Sequence, residues 1–266
     1  MGTKTLLSLH QLQQLFKSYH FTTIQATLWG VIDTTYIVSN TETSYILKKY
    51  ERDIKQRISD DTQVLKTLHH SGLHVSKLLE TNDEWYLYKK LDGTIPKTIK
   101  HYHVQALSRF MAKLHHITYK NDLPSSHHVI TPLDIYLYLN AIKGTFYFYY
   151  KKCASLHFYH NRIDGFIHGD LFKDNALFKN EKLSVIDFID SGKGSFLFDV
   201  AVTLVGFGIE KRISFVTQFI NTYNQHAPQK ISLHTLNPVI KVAKQYYALK
   251  RIYREGKTVR AKELLL

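Results

Sequence analysis

The chain has 266 residues, 44% of them hydrophobic, and a formal net charge of +13 at pH 7. This length and hydrophobic content allow one large domain or two lobes, and they argue against a disordered chain. No apolar run approaches the length of a membrane span and the N-terminus lacks a signal-peptide pattern, so we expect a cytoplasmic protein. The single cysteine, Cys153, excludes an intrachain disulfide and a cysteine-rich zinc site, and we expect it to be buried.

The positive charge would attract anions, including nucleotides, acidic metabolites and nucleic acid. The basic residues are scattered along the chain and do not form the dense cluster of a nucleic-acid-binding arm, so charge alone does not choose among these partners. Several of the sixteen histidines form adjacent pairs, such as His69 and His70, whose side chains diverge on a helix or a strand. We do not expect a histidine metal site.

The N-terminal part of the sequence predicts a helix followed by a β-hairpin. Residues 8–11 have the pattern of a capping box, and the apolar positions between residues 9 and 19 predict a helix that packs on the following sheet. The strand-like runs 34–39 and 44–48 flank a polar turn. Within the second run, alternation places Lys48 on the same face as Ile46 and turns Lys49 away.

A helix with a carboxylate on its apolar face follows the hairpin. Apolar residues and Asp61 recur at steps of four and three between residues 54 and 68, which places Asp61 among apolar neighbours. A carboxylate in that position needs a partner. Asp61 could also lie in solvent if the helix boundary differs from this prediction.

The next strands are predicted at residues 74–79 and 85–88, and the turn at residues 91–94 marks a lobe boundary. We therefore expect two lobes, residues 1–90 and 91–266. The second lobe begins with an amphipathic helix over residues 104–114, and helices follow over residues 135–160 and 213–252. The aromatic run at residues 146–150 is expected to lie in the core. The alternatives are that it lines the pocket for a small-molecule substrate or forms an aromatic cage for a choline-like cation.

The stretch HGDLFKDN at residues 168–175 contains the candidate catalytic residues of the chain. It is followed by the strand-like stretch LSVIDF at residues 183–188, which contains a second aspartate, Asp187, next to its last residue. In this pattern Asp170 can accept the proton of an attacking hydroxyl, while Asn175 and Asp187 supply oxygen ligands for Mg²⁺ that bridges nucleotide phosphates. Protein kinases share this logic, but Gly169 and Ile189 depart from their motifs. The pattern predicts phosphoryl transfer from a nucleotide and excludes a eukaryotic-type protein kinase.

Three segments resemble the aminoglycoside phosphotransferase and choline kinase-like superfamily of small-molecule kinases. Its pattern is H-G-D-x-x-x-x-N, then I-D-[WF], then D-L-A, and the chain reads HGDLFKDN, IDF and, from Asp199, DVA. Within the superfamily, HGDLFKDNALF and FDVAVT look most like the phosphotransferase-type bacterial homoserine kinases. We expect Asp199 to be a helix N-cap, with direct participation in the chemistry as the alternative.

The resemblance implies an α+β, protein-kinase-like two-lobed fold with a small antiparallel-sheet N-lobe and a mainly helical C-lobe. It implies ATP and Mg²⁺ as cofactors, Asp170 as catalytic base, and Asn175 and Asp187 as metal ligands. Lys48 would bind the nucleotide phosphates and pair with Asp61, although Asp60 or Gln63 could take the place of Asp61. Gly30 would lie in the loop that covers the phosphates, or it is an ordinary turn glycine.

The resemblance also implies the acceptor, L-homoserine, phosphorylated on its side-chain hydroxyl. Asp190 and Asp33 are candidate partners for its ammonium group, and either could equally be a solvated loop residue. The alternatives are a kinase for choline, an aminoglycoside or another small alcohol, and a non-catalytic basic nucleic-acid-binding protein on a kinase-like scaffold. We expect no membrane and no specific nucleic-acid partner, and the sequence does not indicate an oligomeric state.

Overall fold

The computed structural model describes residues 3–27, 33–52, 54–121, 123–125, 127–160, 162–256 and 258–265. The chain divides into two compact units, Met1–Asp92 and Gly93–Leu266. The first unit is built on an antiparallel sheet and the second is mainly helical, which confirms the predicted α+β class. No helix in the described parts of the chain is long and apolar enough to cross a membrane.

The first unit contains one sheet of strands in the order β1-β2-β3-β5-β4, with every neighbouring pair antiparallel. The predicted hairpin is the β2-β3 pair, in which Ile37 lies opposite Ile46. The elements of the unit are α1 (Leu9–Leu15), β1 (Thr23–Ala26), β2 (Thr34–Ser39), β3 (Ser44–Lys49), α2 (Lys55–His70), β4 (Leu78–Asn82) and β5 (Trp85–Lys89).

Two strands of this sheet differ from the sequence-based expectation. The short strand β1 was not predicted, because its four residues are mostly exposed and show no clear alternation. Strand β4 was predicted at residues 74–79 but runs to Asn82. The reason is the tight turn at Asp83, with φ 52°, which places Asn82 opposite Trp85 and sets the pairing register from that end.

The core of the first unit lies between α1 and one face of the sheet. Helix α1 begins at a capping box in which Ser8 and Gln11 exchange hydrogen bonds, as predicted. Leu12 and Phe16 are fully buried against the sheet residues, so the predicted packing of this helix is confirmed. The buried residues of this core are Leu12, Phe16, Phe21, Tyr36, Val38, Leu47, Trp85 and Leu87.

The second unit packs its helices around two small strand pairs. Strand β6 pairs with β9 and strand β7 pairs with β8, both antiparallel. Helix α3 packs on α7, and α6 packs on α8. The elements are α3 (His101–Thr118), α4 (Pro132–Ile142), α5 (Tyr147–Cys153), β6 (Gly165–Ile167), β7 (Ala176–Lys179), β8 (Lys182–Val185), β9 (Gly192–Gly194), α6 (Phe196–Gly206), α7 (Ile213–His226), α8 (Leu233–Glu255) and α9 (Val259–Leu265).

The aromatic segment of the second unit is not a continuous buried helix. It breaks into α4, α5 and a 3₁₀ segment, and Tyr147 and Phe148 are 53% and 62% exposed. Five consecutive aromatic residues point to every side of a helix with 3.6 residues per turn, so a single packing partner cannot bury them all. The prediction that this run is core is therefore wrong. Cys153, at the end of α5, is buried as expected.

Candidate active site

A loop and a hairpin bring the motif residues of the second unit together. The loop follows β6, makes a 3₁₀ turn at Lys173–Asn175 and enters the β7-β8 hairpin. The backbone N–H of Ile186 donates to the carbonyl of Asn175 at 3.0 Å, so Asp187 comes directly after a residue that is paired with the loop. The side-chain amide Nδ2 of Asn175 donates to the carbonyl of Asp170 at 2.8 Å. Asp170, Asn175 and Asp187 thus belong to one hydrogen-bonded turn system.

A buried carboxylate on α6 holds the start of the loop. Asp199 accepts hydrogen bonds from the backbone N–H groups of His168, at 3.0 Å, and Gly169, at 2.7 Å. The same carboxylate accepts one from Nε2 of His115 on α3 at 3.1 Å. Asp199 is fully buried, so these three bonds replace its hydration. The N-cap of α6 is Ser195, so the prediction that Asp199 caps this helix is wrong: Asp199 lies in its first turn and braces the loop.

Two further features fix the loop. His168 is fully buried; its Nε2 donates to the carbonyl of Ile186 at 3.1 Å, and its Nδ1 accepts from the N–H of Asp170 at 3.2 Å. Burial lowers the pKa of His168, so the ring stays neutral and can make both bonds. Gly169 has φ +71°, and a Cβ there would lie 2.9 Å from both methyl groups of Val129. Only glycine fits this close turn without displacing its neighbours.

The electrostatic surroundings of Asp170 suit a proton acceptor. Burial raises the pKa of its carboxyl to about 7, with the negative charges of Asp190 and Asp187 adding to the rise and the Lys250 ammonium opposing it. A base near neutral pKa both accepts and releases protons readily at physiological pH. Asp170 therefore combines the position and the basicity that proton transfer from a hydroxyl requires.

The side chains of Asn175 and Asp187 fit a divalent cation that would take its other ligands from a bound phosphate and from water. Because Nδ2 of Asn175 donates to the Asp170 carbonyl, the amide oxygen Oδ1 is the atom that can bind a metal. Asp187 has φ 63°, an uncommon conformation for a non-glycine residue, of the kind that functional sites maintain. No group of three or more His, Cys, Asp or Glu side chains in the described residues could hold a metal alone. Two oxygen ligands suit Mg²⁺, which keeps waters and takes its remaining ligands from phosphates.

The other predicted site residues lie in the first unit. Lys48 lies on β3 opposite Thr35 and Tyr86, on the face of Ile46 and away from the core at α1. Its ammonium group lies 5.9 Å from the ring centroid of Tyr50. Asp61 is 5% exposed on the buried face of α2, where the sequence placed it. Gly30 lies outside the described residues, as does most of the loop around it.

A cleft in the first unit involves Lys49 and not Lys48. Its lining includes Lys49, Arg52 and Lys55. Lys49 is paired with Glu84 at 3.1 Å and Arg52 with Asp33 at 3.0 Å, so two of these three cations are already neutralised. The pairing with Arg52 also gives Asp33 a structural role within the first unit.

Sequence reasoning missed the ionic cluster on α8. Lys250 and Arg254 both reach the same carboxylate oxygen of Asp190, at 3.1 Å and 3.0 Å. Two cations therefore neutralise Asp190, which was considered as a partner for an ammonium group. The spacing of four between Lys250 and Arg254 shows that they share a helix face, but a partner 60 residues earlier in the chain leaves no local sequence signal.

A small antiparallel sheet unit followed by a helical unit with this loop and hairpin defines a kinase-like fold. Residues 23–234 match the model of the phosphotransferase enzyme family, and the chain belongs to this family. It is thus a phosphotransferase, and membership in the predicted superfamily is confirmed.

Solved structures share the fold over nearly the whole chain. They include amicoumacin kinase hAmiN in complex with AMP-PNP, Ca²⁺ and Ami, with 17% identity, coverage of 97% of this chain and 90% of the other, and a TM-score of 0.73. Choline kinase LicA from Streptococcus pneumoniae has 17% identity, coverage of 96% and 97%, and a TM-score of 0.73. A macrolide 2'-phosphotransferase type I has 15% identity, coverage of 98% and 99%, and a TM-score of 0.67. A comparison with curated proteins finds no match.

Proposed function

We propose that the protein transfers the γ-phosphoryl group of ATP to the hydroxyl of a small molecule, with L-homoserine as the acceptor. The observation that carries the proposal is the turn system that joins Asp170 to Asn175, next to Asp187 at the end of the hairpin. In this assignment Asp170 accepts the hydroxyl proton as the oxygen attacks the γ-phosphorus of ATP, the bond from that phosphorus to the β-γ bridging oxygen breaks, and ADP leaves. Asn175 and Asp187 would hold Mg²⁺, which would neutralise charge on the phosphates.

The nucleotide-binding part of the proposal concerns the first lobe, residues 1–90. Lys48 would contact the nucleotide phosphates, with Asp61 as its partner and Gly30 in the covering loop. The burial of Asp61 in α2 supports an ionic role, since a buried carboxylate without an opposing charge would be costly. An amicoumacin kinase of the same fold is known in complex with an ATP analogue and Ca²⁺, which supports ATP and a divalent metal. The remaining residues, 91–266, would carry catalysis and acceptor binding.

The acceptor proposal is supported by the residues that flank the motif. HGDLFKDNALF and FDVAVT resemble homoserine kinases beyond the residues that the whole superfamily shares. The test compares kcat/KM for L-homoserine, L-serine, L-threonine, choline and an aminoglycoside under the same Mg²⁺-ATP conditions, with coupled detection of ADP. A preference for any other compound would overturn the acceptor and keep the kinase assignment. No transfer to any alcohol in a wider panel would overturn both.

Two alternatives remain for comparison in this assay. Choline and an aminoglycoside represent the cationic acceptors, for which related folds are known. A non-catalytic nucleic-acid-binding role would instead predict retention of nucleic acid on a filter, with a steep salt dependence and no ADP release. The intact set of Asp170, Asn175 and Asp187 favours the enzyme.

Removal of either proposed metal ligand is expected to change the response to Mg²⁺. Asn175→Ala and Asp187→Ala each delete one oxygen ligand, so we expect the Mg²⁺ concentration for half-maximal activity to rise about tenfold or more. The measurement is a Mg²⁺ titration of activity at fixed ATP. Asn180→Ala, at the exposed turn of the same hairpin, is the matched control and should not alter it. An unchanged Mg²⁺ dependence in both site variants would contradict the assignment.

The two neighbouring lysines on β3 test the strand register of the proposed phosphate site. Lys48→Ala is expected to raise the KM for ATP and lower kcat, together about 10²-fold in kcat/KM, because a charge-assisted contact to phosphate is lost. Lys49→Ala should change kcat/KM for ATP less than twofold, since Lys49 is paired with Glu84. Steady-state kinetics with varied ATP measure both values. A larger effect of Lys49→Ala would show that the nucleotide meets the opposite face of β3.

A further inference from the structure

The ionic cluster on α8 lies beside the catalytic loop. Asp190, which Lys250 and Arg254 both contact, has its backbone carbonyl oxygen only 3.3 Å from the position of a Cβ on Gly169, the residue before Asp170. Phe172, two residues after Asp170, packs its ring 4.8 Å from that of Tyr247 on α8. The loop that carries the proposed base is therefore flanked on both sides by this face of α8 and its partner Asp190.

Tyr247 presents a buried hydroxyl beside this loop. The residue is 2% exposed, and its hydroxyl makes no hydrogen bond within the described part of the chain. Burial, and after it the negative charge of Asp170, raises the pKa of Tyr247 well above its ordinary value, so the phenol stays protonated. A buried O–H donor almost always has an acceptor in a folded protein. We therefore expect a bound ligand to supply the atom that accepts a hydrogen bond from the Tyr247 hydroxyl.

Lys250 adds further donors at the same place. The side chain is 7% exposed, and its ammonium lies 5.2 Å from the ring centroid of Tyr247. An ammonium carries three N–H donors, and the contact with Asp190 uses one of them. The Asp190 oxygen that accepts it also accepts from Arg254 at 3.0 Å. The two cations share this one carboxylate oxygen, so the N–H donors of Lys250 and Arg254 outnumber the acceptor atoms of Asp190.

On the basis of the proposed function, we propose that Tyr247 and Lys250 bind a carboxylate group of the acceptor while the acceptor hydroxyl faces Asp170. A carboxylate offers two oxygens and takes hydrogen bonds from an ammonium and a phenol at once. In L-homoserine three carbons separate the carboxylate from the hydroxyl, so the two groups can reach neighbouring subsites. Asp190 itself is not available to the ammonium group of a cationic acceptor such as choline, because Lys250 and Arg254 both pair with it. The acceptor class is a small hydroxy acid.

The deciding experiment is calorimetric binding of L-homoserine and 4-hydroxybutanoate to the full chain, with and without Mg²⁺-AMP-PNP. 4-Hydroxybutanoate keeps the hydroxyl and the carboxylate but lacks the ammonium group, and 1,4-butanediol lacks the carboxylate. Tyr247→Phe and Lys250→Met are expected to raise the Kd of both acids about 10- to 100-fold, because each removes a hydrogen bond to a charged group. The Kd of AMP-PNP should not change. Wild-type protein should bind 1,4-butanediol at least tenfold more weakly than 4-hydroxybutanoate.

Two control variants on the same helix separate the subsite from general effects. Tyr253→Phe alters a 47% exposed tyrosine, and Lys241→Met removes an exposed lysine, and both should leave every Kd unchanged. Tyr247→Phe keeps the ring that packs on Phe172, so this variant decides the test even if Lys250→Met does not fold.

Three outcomes would overturn the proposal. They are no binding of either acid to the wild type, equal binding by Tyr247→Phe, or a loss confined to AMP-PNP. This test is independent of phosphoryl transfer. If the protein phosphorylates choline but binds no hydroxy acid, the kinase function stands and the carboxylate subsite is refuted. If it binds hydroxy acids but transfers no phosphoryl group, the subsite stands and the kinase function is refuted.

Discussion

Replacement of Asp170 by asparagine is expected to lower kcat by about 10²- to 10⁴-fold, the range that a positioned general base contributes. The amide keeps the size of the side chain, but it cannot accept the hydroxyl proton. The backbone of Asp170 makes the structural contacts of the loop, through its N–H to His168 and its carbonyl to Asn175, and the substitution leaves these in place. Stability and nucleotide affinity should therefore change little. Steady-state kinetics and equilibrium binding of AMP-PNP measure the two effects separately.

The matched control for this variant is Asp174→Asn. Asp174 is an exposed carboxylate in the same loop, four residues later, so its replacement removes one negative charge from the loop and leaves the carboxyl group of Asp170 in place. We expect its kcat to stay within about twofold of the wild type, because an exposed charge is largely screened by solvent. Near-normal turnover of a folded Asp170→Asn protein would rule out the role of Asp170 as base.

Replacement of Asp199 by asparagine is expected to destabilise the second unit by about 3 kcal/mol and to abolish most activity. The carboxylate accepts three hydrogen bonds in full burial, and an amide places an N–H₂ group against at least one of those donors. A buried donor without an acceptor costs about 1–3 kcal/mol, and breaking a buried charged network costs about 3–5 kcal/mol. Activity should fall as well, because the N–H groups of His168 and Gly169 lose the anchor that positions Asp170.

Urea denaturation followed by far-ultraviolet circular dichroism measures this effect, since most of the helical residues belong to the second unit. Ser195→Ala is the control on the same helix: it removes only the N-cap bond to Phe198 and should cost about 1 kcal/mol. Tryptophan fluorescence measures the unfolding of the first unit separately, because both tryptophans, Trp29 and Trp85, belong to the first 92 residues. A loss in Asp199→Asn no larger than in Ser195→Ala would show that the brace is dispensable.

Asp170 and Asp199 differ in the sequence separation of their partners, and this difference explains why the sequence predicted the neighbours of Asp170 but not those of Asp199. Asp170, Asn175 and Asp187 lie within 18 positions of one another, joined by a tight loop and a short hairpin, so local spacing was enough to predict that they meet. Asp199 was recognised as part of a motif, but its role was misassigned as a helix cap. Its partners His168 and His115 lie 31 and 84 positions away, and no local pattern encodes a contact over such a separation.

The sequence by itself determined the class of the fold, the β2-β3 hairpin with Lys48 and Ile46 on one face, the burial of Asp61 and the composition of the catalytic loop. The hairpin and the burial of Asp61 follow from periodicity, which acts over a few residues, whereas the class of the fold was implied by the resemblance of the motif segments to a known superfamily. Only the tertiary structure decided that Asp190 is neutralised by Lys250 and Arg254 and that the hydroxyl of Tyr247 is buried beside the loop. The physical reason is that charge compensation and burial depend on which helix packs against which loop, and α8 meets residues that precede it by 60 or more positions.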